Sequence, residues 1–375
     1  MENTIRYSAR QLTDFCVDAF TGFGFSREEA EKITDVLILA DLFDIKSHGT
    51  QRLAMYHRNI RIGWIKPEAK PDILFETPVS AVIDGHDGMG QLNALFAMEV
   101  ALEKARRSGM ASVTVRNSNH FGIAGYYAKM ASDAGFFGMA MTNSEAIMVP
   151  THAKKALLGT NPIAVSFPAE PYPFLFDAST TVVPRGKLEV YNKSDKPLPE
   201  GWAVDENGQP CTDAARVLKN IQTTKAGGIM PLGGADETNG GHKGYGWAML
   251  CELFCSVFSG APTSNHSCLG DKCGTGHGFL VIDPAVFGDP DAMKARFSAF
   301  LQELRDAPVA DGQTRIYTHG EKEALAFLKR SAEGIDVNIN TLGEMKALCG
   351  DLGLDFRKYL GDVDLSLATK KSTYL

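Results

Sequence analysis

The stretch Asp84-Gly-His-Asp-Gly-Met-Gly-Gln91 decides the class of fold. It follows an apolar run and precedes a helical pattern, which is where a Rossmann domain has its phosphate-binding loop. Its three glycines lack the G-x-G-x-x-G spacing, and no acidic residue ends a second strand about twenty residues later. We therefore interpret the stretch as a turn between a strand and a helix. A nicotinamide cofactor, if one binds, is expected to bind to a fold other than the Rossmann fold.

Strands and helices alternate from about residue 79 to residue 282. The apolar runs that predict strands are Ser80–Ile83, Ser112–Val115, Phe137–Met141, Ile163–Phe167, Phe174–Phe176 and Phe279–Ile282. The helical patterns between them are Leu92–Arg107, Ile123–Ala134 and Tyr245–Phe258. This order is typical of an α/β or α+β protein.

Helical patterns dominate both ends of the chain. Ser8 is a candidate N-cap for a first helix, and Ser26 with Glu29 predicts a capping box for a second. A third helix, after Ser47-His-Gly49, has Leu53, Tyr56 and Ile60 on one side. Helical segments return at Asp291–Arg305, Glu321–Ala332 and Leu342–Leu352. We expect residues 1–75 and 291–375 to form one helical lobe beside a body at residues 76–290, with an arm-like tail after Asp364.

Composition and charge argue against several classes of protein. The chain has 375 residues and a formal net charge of −7, whereas a nucleic-acid partner would require a basic face. The longest apolar run, Val36–Ala40, is far too short to cross a bilayer. The first eight residues lack the apolar core of a signal peptide, and the seven cysteines are scattered. We expect a cytoplasmic protein with reduced thiols and no membrane partner.

Two polar segments contain candidate catalytic residues. Ser47-His-Gly-Thr-Gln-Arg52 places His48 and Arg52 on one face of a helix that begins there. Arg52 is suited to bind a carboxylate, while His48 or Ser47 would hold its second oxygen or pass a proton. A helix cap with a solvated arginine is the alternative.

The second segment, Arg116-Asn-Ser-Asn-His-Phe-Gly122, follows a predicted strand, and ligands of α/β proteins bind beyond the carboxyl ends of strands. The unperturbed pKa of a histidine, about 6.5, suits His120 to proton transfer at neutral pH. Hydride transfer to a keto group leaves an oxygen that needs such a proton. A hydrogen-bonded turn histidine is the alternative.

Two further clusters suggest an anion site and a metal site. Gly240-Gly-His-Lys-Gly-Tyr-Gly246 precedes the apolar helix Trp247–Phe258, where free amides and Lys243 would attract a pyrophosphate or a carboxamide; a plain helix start is the alternative. His266, Cys268, Cys273 and His277 do not follow a standard zinc pattern, and we predict no metal site. The sequence contains no G-x-S-x-G, Walker or H-E-x-x-H motif, so hydrolase and NTPase activities lack their usual support.

Together these segments resemble the non-Rossmann malate/L-lactate dehydrogenase family. That family includes ureidoglycolate and sulfolactate dehydrogenases and 2,3-diketogulonate and piperideine-2-carboxylate reductases. The similarity extends from about Tyr7 to about Ala332. The matching segments are Ser47–Arg52, Arg116–Gly122, Thr142-Asn-Ser144, Gly159-Thr-Asn-Pro162, Asp177-Ala-Ser-Thr180, Arg185-Gly-Lys187, Pro199-Glu-Gly-Trp202, His242-Lys-Gly-Tyr-Gly246 and Gly320-Glu321. The stretch Ala235–Gly241 departs from the pattern, which leaves the substrate open.

The resemblance implies an NAD- or NADP-dependent dehydrogenase of a small, malate- or lactate-like 2-hydroxy acid. It implies a mixed β-sheet domain at residues 76–290 that binds the cofactor, a helical lobe, and a homodimer. It also implies that His120 is the catalytic histidine, that His48 is a second proton donor, and that Ser47 and Arg52 lie near the substrate carboxylate. The cofactor contacts that it implies are His120, Phe121, Gly122, Ser144, Asp177, Ala178, Ser179, Thr180, His242, Lys243, Gly320 and Glu321.

Several alternatives stay open. The chain could be an NADPH-dependent reductase of cyclic imino acids such as piperideine-2-carboxylate, or a ureidoglycolate or sulfolactate dehydrogenase. It could also be a catalytically silent nucleotide- or metabolite-binding protein, or a metal-dependent hydrolase. The sequence does not choose between NAD and NADP, because that choice usually rests on one charge near the adenosine 2′ position.

Overall fold

The computed structural model describes residues 4–193, 196–366 and 368. Its strands are β1 (Thr4–Tyr7), β2 (Asp72–Thr77), β3 (Ser80–Asp84), β4 (Met110–Ser118), β5 (Phe137–Thr142), β6 (Ile163–Phe167), β7 (Phe174–Ala178), β8 (Ala203–Val204), β9 (Gly228–Ile229), β10 (Thr275–Ile282) and β11 (Ile335–Asn338). Its α-helices are α1 (Ala9–Gly22), α2 (Arg27–Leu42), α3 (Leu53–Arg61), α4 (Gly90–Ser108), α5 (Ala124–Asp133), α6 (Arg185–Lys193), α7 (Ala214–Thr223), α8 (Gly241–Glu252), α9 (Pro290–Asp306), α10 (Glu321–Glu333), α11 (Ile339–Leu352) and α12 (Phe356–Leu360).

A mixed sheet forms the centre of the fold, in the order β2-β3-β4-β10-β5-β6-β7. Strands β3 and β4 are parallel, with α4 between them in the chain, and the other neighbouring pairs are antiparallel. A Rossmann sheet is built mostly from parallel strands, so the prediction of a non-Rossmann mixed sheet is confirmed. All six predicted strands belong to this sheet.

The turn between β3 and α4 is packed against the segment that carries His120. The Asp84 carboxylate accepts hydrogen bonds from Arg116 Nε at 3.0 Å and from Asn117 Nδ2 at 2.9 and 3.0 Å. Gly90 begins α4 so close to the His120 carbonyl group that a Cβ there would overlap it. The glycines of this turn therefore allow close packing around the candidate site, as a turn between strand and helix requires.

The helices at the two ends of the chain share one hydrophobic core. Ser26 caps α2 in a capping box with Glu29, as the sequence predicts. Ser8 caps α1 as predicted, and its capping box with Gln11 is an addition of the structure. Phe20 and Leu37 from these helices lie in one buried cluster with Leu342 of α11. Strand β1 also pairs with β11. The sequence patterns did not predict this contact, because a four-residue strand is too short to show a clear period of two.

Two further hydrophobic clusters lie outside this core, one on the central sheet and one around α7. Alanines of α4 and α5 pack on the sheet, and Val217 and Ile221 of α7 form a smaller core with α6, β8 and β9. Helix α9 contacts the β6–β7 edge, where the Phe297 ring lies 5.8 Å from that of Phe167 and 5.6 Å from that of Phe174. The domain boundaries at residues 75/76 and 290/291 stay predictions.

Two expectations concern the membrane and the tail. Within the described part of the chain, no helix is long and apolar enough to cross a membrane. The arm-like tail predicted after Asp364 falls mainly on residues 367 and 369–375, which lie outside the described residues.

Candidate active site

A cavity of about 510 Å³ lies between the helical lobe and the sheet. Its volume is in the range usual for small-molecule sites, about 300–1,000 Å³. It brings together seven of the predicted site residues, which are Ser47, His48, Arg52, His120, Phe121, Gly122 and Ser144. The cavity is also lined by Arg58, Asn59, Trp64, Thr142, Glu145, Thr160 and Arg185.

The turn that carries Ser47, His48 and Arg52 is held in place by the buried carboxylate of Asp41. Asp41 Oδ2 accepts a hydrogen bond from Thr50 N at 2.9 Å. Gly49 lies so close to this carboxylate that a Cβ would overlap it. Burial raises the pKa of Asp41 to about 6. The break in the helical pattern is thus a tight turn, in which Arg52 Nε donates to the Ser47 carbonyl oxygen at 2.5 Å.

His48 lies beside His120 on the cavity wall. The two imidazole rings are stacked, with centroids 5.4 Å apart and an interplanar angle of 21°. His48 Nδ1 is 2.8 Å from Ser47 Oγ. Burial, and then the charge of Arg52, lower the pKa of His48 to about 3. His48 is therefore neutral at pH 7 and forms hydrogen bonds without adding a positive charge.

The hydrogen bonds around His120 fix the position of its proton. Tyr56 Oη lies 2.7 Å from His120 Nδ1, and Gln91 Nε2 donates to Tyr56 Oη at 2.8 Å. The Gly122 N–H also points to Nδ1, at 3.4 Å. Because a backbone N–H only donates, Nδ1 is the acceptor, and Tyr56 donates to it. The neutral ring therefore carries its proton on Nε2, the nitrogen left for a ligand.

The electrostatic surroundings of His120 oppose its protonation. Burial, followed by the neighbouring His48, Arg52 and His277, lowers the pKa of His120 well below its ordinary value of 6.5. At pH 7 the cavity wall thus carries a neutral imidazole beside a guanidinium. An anion bound at Arg52 would offset part of the positive charge and raise the pKa of His120 again.

Neutral hydroxyl groups form another part of the cavity wall. Thr142, Ser144 and Thr160 all line it. Ser144 Oγ accepts a hydrogen bond from Thr160 N at 3.0 Å, and Ser144 N donates to the buried Asn161 Oδ1 at 3.2 Å. Gly159 lies against Ser144 and Asn161 with no room for a Cβ. These contacts hold the hydroxyl groups in fixed positions.

Four predicted cofactor residues, Asp177, Ala178, Ser179 and Thr180, lie at the end of β7 and do not line the cavity. Thr180 supports the wall, because its N–H and its hydroxyl group both donate to the Thr160 carbonyl oxygen at 2.9 Å. Asp177 Oδ2 accepts from Gly125 N at 2.7 Å, at the start of α5. Burial raises the pKa of Asp177 to about 6. The cofactor contacts of these four residues stay predictions.

His242 and Lys243 are exposed in the first turn of α8. The sequence patterns began this helix at Tyr245 or at Trp247, whereas α8 begins earlier, at Gly241. Gly244 explains the difference, because it packs against the backbone of the neighbouring loop where a Cβ would not fit. The amides at this helix start carry a partial positive charge, so the place suits an anion, and the predicted contacts stay predictions.

Gly320 and Glu321 form the start of α10, away from the cavity lining. Gly320 has a φ of +92° and packs against Pro173 and Leu175, so a side chain there would be strained and would clash. Glu321 is buried, forms an ion pair with Arg315 and accepts a hydrogen bond from Thr318 N at 3.3 Å. Its carboxylate therefore already has partners within the chain.

The candidate metal ligands His266, Cys268, Cys273 and His277 do not meet at one point. His277 is fully buried, with Nδ1 2.8 Å from Thr142 Oγ1 and Nε2 2.8 Å from Ser118 Oγ. The sulfur atoms of Cys268 and Cys273 lie against each other, and the expectation of reduced thiols stays a prediction. The turn between them, with a hydrogen bond from Cys268 N to Cys273 O, brings the two residues together. Among the described residues, no group of three or more His, Cys, Asp and Glu could hold a metal.

Sequence reasoning missed four residues that shape the site. Tyr56 and Gln91 hold His120, and Arg58 and Trp64 line the cavity. Tyr56 was interpreted only as the core-facing residue of a helix. Its spacing of four residues from Arg52 places both on one face of that helix, and this was the signal that could have identified it.

The fold and this cavity belong to a known class of oxidoreductase. The family described as malate/L-lactate dehydrogenase matches residues 7–346. The chain belongs to this family, and it is a dehydrogenase of 2-hydroxy acids. The resemblance of the sequence segments is thereby confirmed.

Relatives with established names show the range of the family. The chain is 38% identical to malate dehydrogenase from Pyrococcus abyssi over 356 residues, which cover 94% of this chain and 96% of that protein. It is 36% identical to L-sulfolactate dehydrogenase from Methanocaldococcus jannaschii over 348 residues, covering 92% and 96%. It is 33% identical to Delta(1)-pyrroline-2-carboxylate reductase from Pseudomonas fluorescens over 294 residues, covering 76% and 83%.

The fold agrees with a solved structure of similar length. The crystal structure of malate dehydrogenase from Entamoeba histolytica superimposes with a TM-score of 0.91 at 35% identity, covering 94% of this chain and 99% of that one. The similarity therefore includes both the mixed sheet and the helical lobe.

Proposed function

We propose that this dehydrogenase interconverts a small 2-hydroxy acid and its 2-oxo acid in the cavity that contains His120 and Arg52, with NAD or NADP as cofactor. The observation that carries the proposal is the pairing of two groups in one cavity. One is an imidazole whose Nε2 is free for a ligand, and the other is a guanidinium with no carboxylate partner among the described residues. A 2-oxo acid needs a proton donor at its keto oxygen and a cation at its carboxylate.

The residues present fit the nicotinamide half of the cofactor. The hydroxyl groups of Ser144 and Thr160 can bond to a carboxamide and a ribose. The Phe121 ring is buried against those of Tyr127 and His277 and supports this wall from behind. A bound nicotinamide supplies or accepts the hydride. We assign Phe121, Gly122 and Ser144 to this half, together with the edge of His120. The remainder of the dinucleotide is proposed to contact Asp177, Ala178, Ser179, Thr180, His242, Lys243, Gly320 and Glu321.

His120 is the proposed proton donor in reduction and acceptor in oxidation. The neutral ring that reduction leaves keeps its proton on Nδ1, donated to Tyr56 Oη, and oxidation starts from this tautomer, whose Nε2 accepts the substrate proton. In reduction the proton on Nε2 of the charged ring passes to the substrate oxygen, and the charged ring is favoured once an anionic substrate lies beside Arg52. Tyr56 keeps its own proton, because burial raises its pKa far above neutrality. Tyr56 therefore positions His120. His48 and Ser47 assist by hydrogen bonding to the substrate.

Arg52 is the proposed ligand of the substrate carboxylate. Its Nε is engaged by the Ser47 carbonyl group, which leaves its terminal nitrogens to face the cavity. A guanidinium binds a carboxylate through two parallel hydrogen bonds and so fixes the substrate relative to His120. Arg52 lies in the helical lobe and His120 beside the sheet, so the reaction takes place between the two.

We also propose that the protein is a homodimer, in agreement with the sequence expectation. Trp247, Met249, Leu253, Val257 and Phe258 are all exposed, and they follow one another along α8 and its π-helical extension. Contiguous exposed apolar residues of this kind usually mark an interaction surface. A second copy of the chain is the proposed occupant. The five buried free thiols support the proposed cytoplasmic location, and the net charge of −7 gives no support to a nucleic-acid partner.

A substrate screen with both cofactors tests this function. Purified protein is incubated with NADH or NADPH and, in turn, pyruvate, oxaloacetate, sulfopyruvate and Δ1-piperideine-2-carboxylate, and the loss of reduced nicotinamide is followed. We expect turnover with at least one 2-oxo acid. If only the cyclic imine is reduced, the substrate is an imino acid and not a 2-oxo acid. If no compound is turned over, the proposal is rejected.

A further inference from the structure

A buried carboxylate behind the cavity wall takes no part in the proposed reaction. Glu252 is the last residue of α8, is buried and does not line the cavity. Within the part of the chain that the structure describes, no lysine, arginine or histidine forms an ion pair with it. Burying a carboxylate without a cation costs free energy unless several hydrogen bonds replace the lost water. The partners of Glu252 therefore indicate what its carboxylate does.

Three residues supply these hydrogen bonds. Asn161 Nδ2 donates to Glu252 Oε1 at 2.8 Å, and Ser256 Oγ donates to Oε2 at 2.7 Å. The Ser264 N–H lies 3.3 Å from Oε1 and 3.2 Å from Oε2, and the Ser264 hydroxyl group donates to Oε1 as well. Both carboxylate oxygens therefore accept, as the oxygens of an ionised carboxylate do.

The partners of Glu252 connect it to the cavity wall from two sides. Asn161 is fully buried, and its Oδ1 accepts from Ser144 N at 3.2 Å. Asn143 lines the cavity, and its Nδ2 donates to Ser256 Oγ at 3.0 Å. Ser144 is thus fixed through its own N–H and through the residue before it.

The backbone at Asn161 depends on a fixed side chain. Its φ of +37° lies in the left-handed region, which residues other than glycine rarely adopt. Asn161 Nδ2 also donates to the Ala248 carbonyl oxygen at 3.2 Å, so two residues of α8 bind this side chain. A strained conformation persists only where its surroundings hold it. Loss of the Glu252 contact is therefore expected to shift both Ser144 and Thr160, the residue before Asn161.

The helix changes its pitch at this point. The π-helical turn Leu253–Val257 follows Glu252 directly. Single π-turns within α-helices occur frequently at functional sites. The turn contains Ser256, so both side chains of the helix that take part in this network lie at the change of pitch.

We propose that Glu252 is a positioning residue for the nicotinamide half of the cofactor. It acts through the side-chain amides of Asn161 and Asn143. These amides keep the hydroxyl groups of Ser144 and Thr160 where a carboxamide or a ribose can bond to them. The inference rests on the proposed function, to which the nicotinamide contacts belong. The role depends on the acceptor positions of the side chain and not on its negative charge.

The test compares a ligand that contains the nicotinamide half with one that lacks it. Dissociation constants for NADH and ADP are measured by calorimetry on the natural protein, Glu252→Leu and Glu252→Gln. NADPH and adenosine 2′-phosphate 5′-diphosphate replace them if NADPH binds more tightly. Glu252→Leu is expected to weaken NADH binding about 5- to 50-fold, the range for one or two lost hydrogen bonds between neutral groups, and to change ADP binding less than about threefold.

Glu252→Gln distinguishes hydrogen bonding from charge. The new carbonyl oxygen can accept from Asn161 and Ser264 in the place of Oε1, and the new amide group can donate to Ser256 Oγ. The Ser256 hydroxyl group then donates to the Pro262 carbonyl oxygen, which lies 3.2 Å away. We expect an NADH affinity within about threefold of the natural value. A loss as large as that in Glu252→Leu would assign the effect to the negative charge and overturn the proposal.

Ser166→Ala is the matched control for lost stability. Ser166 is fully buried in β6, its hydroxyl group donates to the Phe174 carbonyl oxygen at 2.9 Å, and it does not line the cavity. This variant is expected to unfold at a lower temperature and to bind NADH like the natural protein. NADH binding weakened as much as in Glu252→Leu would show a general effect of instability and overturn the assignment.

Ser256→Ala tests the same contact more mildly and replaces Glu252→Leu if that variant does not fold. It removes the hydroxyl group that joins Glu252 to Asn143. NADH binding is expected to weaken about 2- to 10-fold, with ADP binding unchanged. Unchanged NADH affinity in the folded variant, or an equal loss of NADH and ADP affinity, would reject the positioning role. The binding assay contains no 2-oxo acid, so its result is independent of the turnover that tests the proposed function.

Discussion

The contact between Tyr56 and His120 is the part of the site whose removal makes the sharpest prediction. Tyr56→Phe removes one hydroxyl group that lies 2.7 Å from His120 Nδ1 and 2.8 Å from Gln91 Nε2. Tyr56 is fully buried, so its loss does not change the surface. In the charged ring, Nδ1 also carries a proton and donates to the Tyr56 oxygen, so the substitution disfavours the charged form of His120 more than the neutral form.

The size of the effect follows from that difference. A hydrogen bond to a charged group contributes about 1.5–3 kcal/mol, and one between neutral groups about 0.5–1.5 kcal/mol. The difference, about 1–1.5 kcal/mol, lowers the pKa of His120 by about one unit. Where the protonated ring limits the rate of reduction, the rate at pH 7 falls about tenfold.

The assay is the pH dependence of kcat/KM for reduction of the best 2-oxo acid. Since the pKa of His120 is already below 6.5 in the free protein, kcat/KM is expected to rise as the pH is lowered from 8 towards 6.5 and below. In Tyr56→Phe the whole profile is expected to move about one unit towards lower pH. Tyr127→Phe is the control, because Tyr127 is equally buried and its hydroxyl group donates to the Phe121 carbonyl oxygen at 2.6 Å.

The two variants lose a similar amount of stability but differ in the pH profile. Each removes one buried hydroxyl group and leaves its partner unsatisfied, which costs about 1–3 kcal/mol of unfolding free energy. Only Tyr56→Phe is expected to shift the profile. Identical profiles in the natural protein and Tyr56→Phe, with stability lowered as in the control, would refute the reasoning and leave Tyr56 with a purely structural role.

Three further predictions concern substrate binding, acid stability and assembly. Arg52→Ala is expected to raise KM for 2-oxo acids about 10- to 100-fold with little change in cofactor KM, and an unchanged KM would reject the carboxylate contact. The pKa of His277 is about 3 in the folded protein and about 6.5 in the unfolded chain. The neutral ring therefore stabilises the fold fully above pH 6.5, and this contribution is lost as the pH falls towards 3. The free energy of unfolding, measured with urea at several pH values, should therefore fall less steeply with falling pH in His277→Asn than in the natural protein. The expected difference in slope is about 1.4 kcal/mol per pH unit in that window, and equal slopes would contradict this. Val257→Arg is expected to give monomers in light scattering, whereas Leu328→Arg, an equally exposed residue on α10, should not; a dimer in both variants would place the interface elsewhere.

The sequence predicted most of the fold because its signals are local. The cap at Ser8, the capping box at Ser26 and the apolar runs of the sheet depend on neighbouring residues, and the structure contains them at the expected places. The pairing of β1 with β11 joins residues more than 300 positions apart, and no short pattern encodes such a contact. The start of α8 was misplaced because glycine argues against a helix, whereas here Gly244 permits close packing.

The candidate site was predictable residue by residue, but its geometry was not. Ser47, His48, Arg52 and His120 stand in polar segments that interrupt apolar patterns, and they meet in one cavity. The hydrogen bond from Tyr56 to His120 crosses 64 positions, so only the fold reveals it. The close approach of Cys268 and Cys273 depends on the turn between them, which the scattered spacing of the seven cysteines does not predict.

The most direct test of the central claim is the turnover of His120→Ala, compared with its cofactor affinity. Oxidation of NADH and NADPH is followed with the best 2-oxo acid, and the cofactor dissociation constant is measured by fluorescence titration. We expect kcat to fall about 10²- to 10⁴-fold, the contribution of a positioned proton donor, with cofactor affinity changed less than about threefold. Turnover at the rate of the natural protein would contradict it.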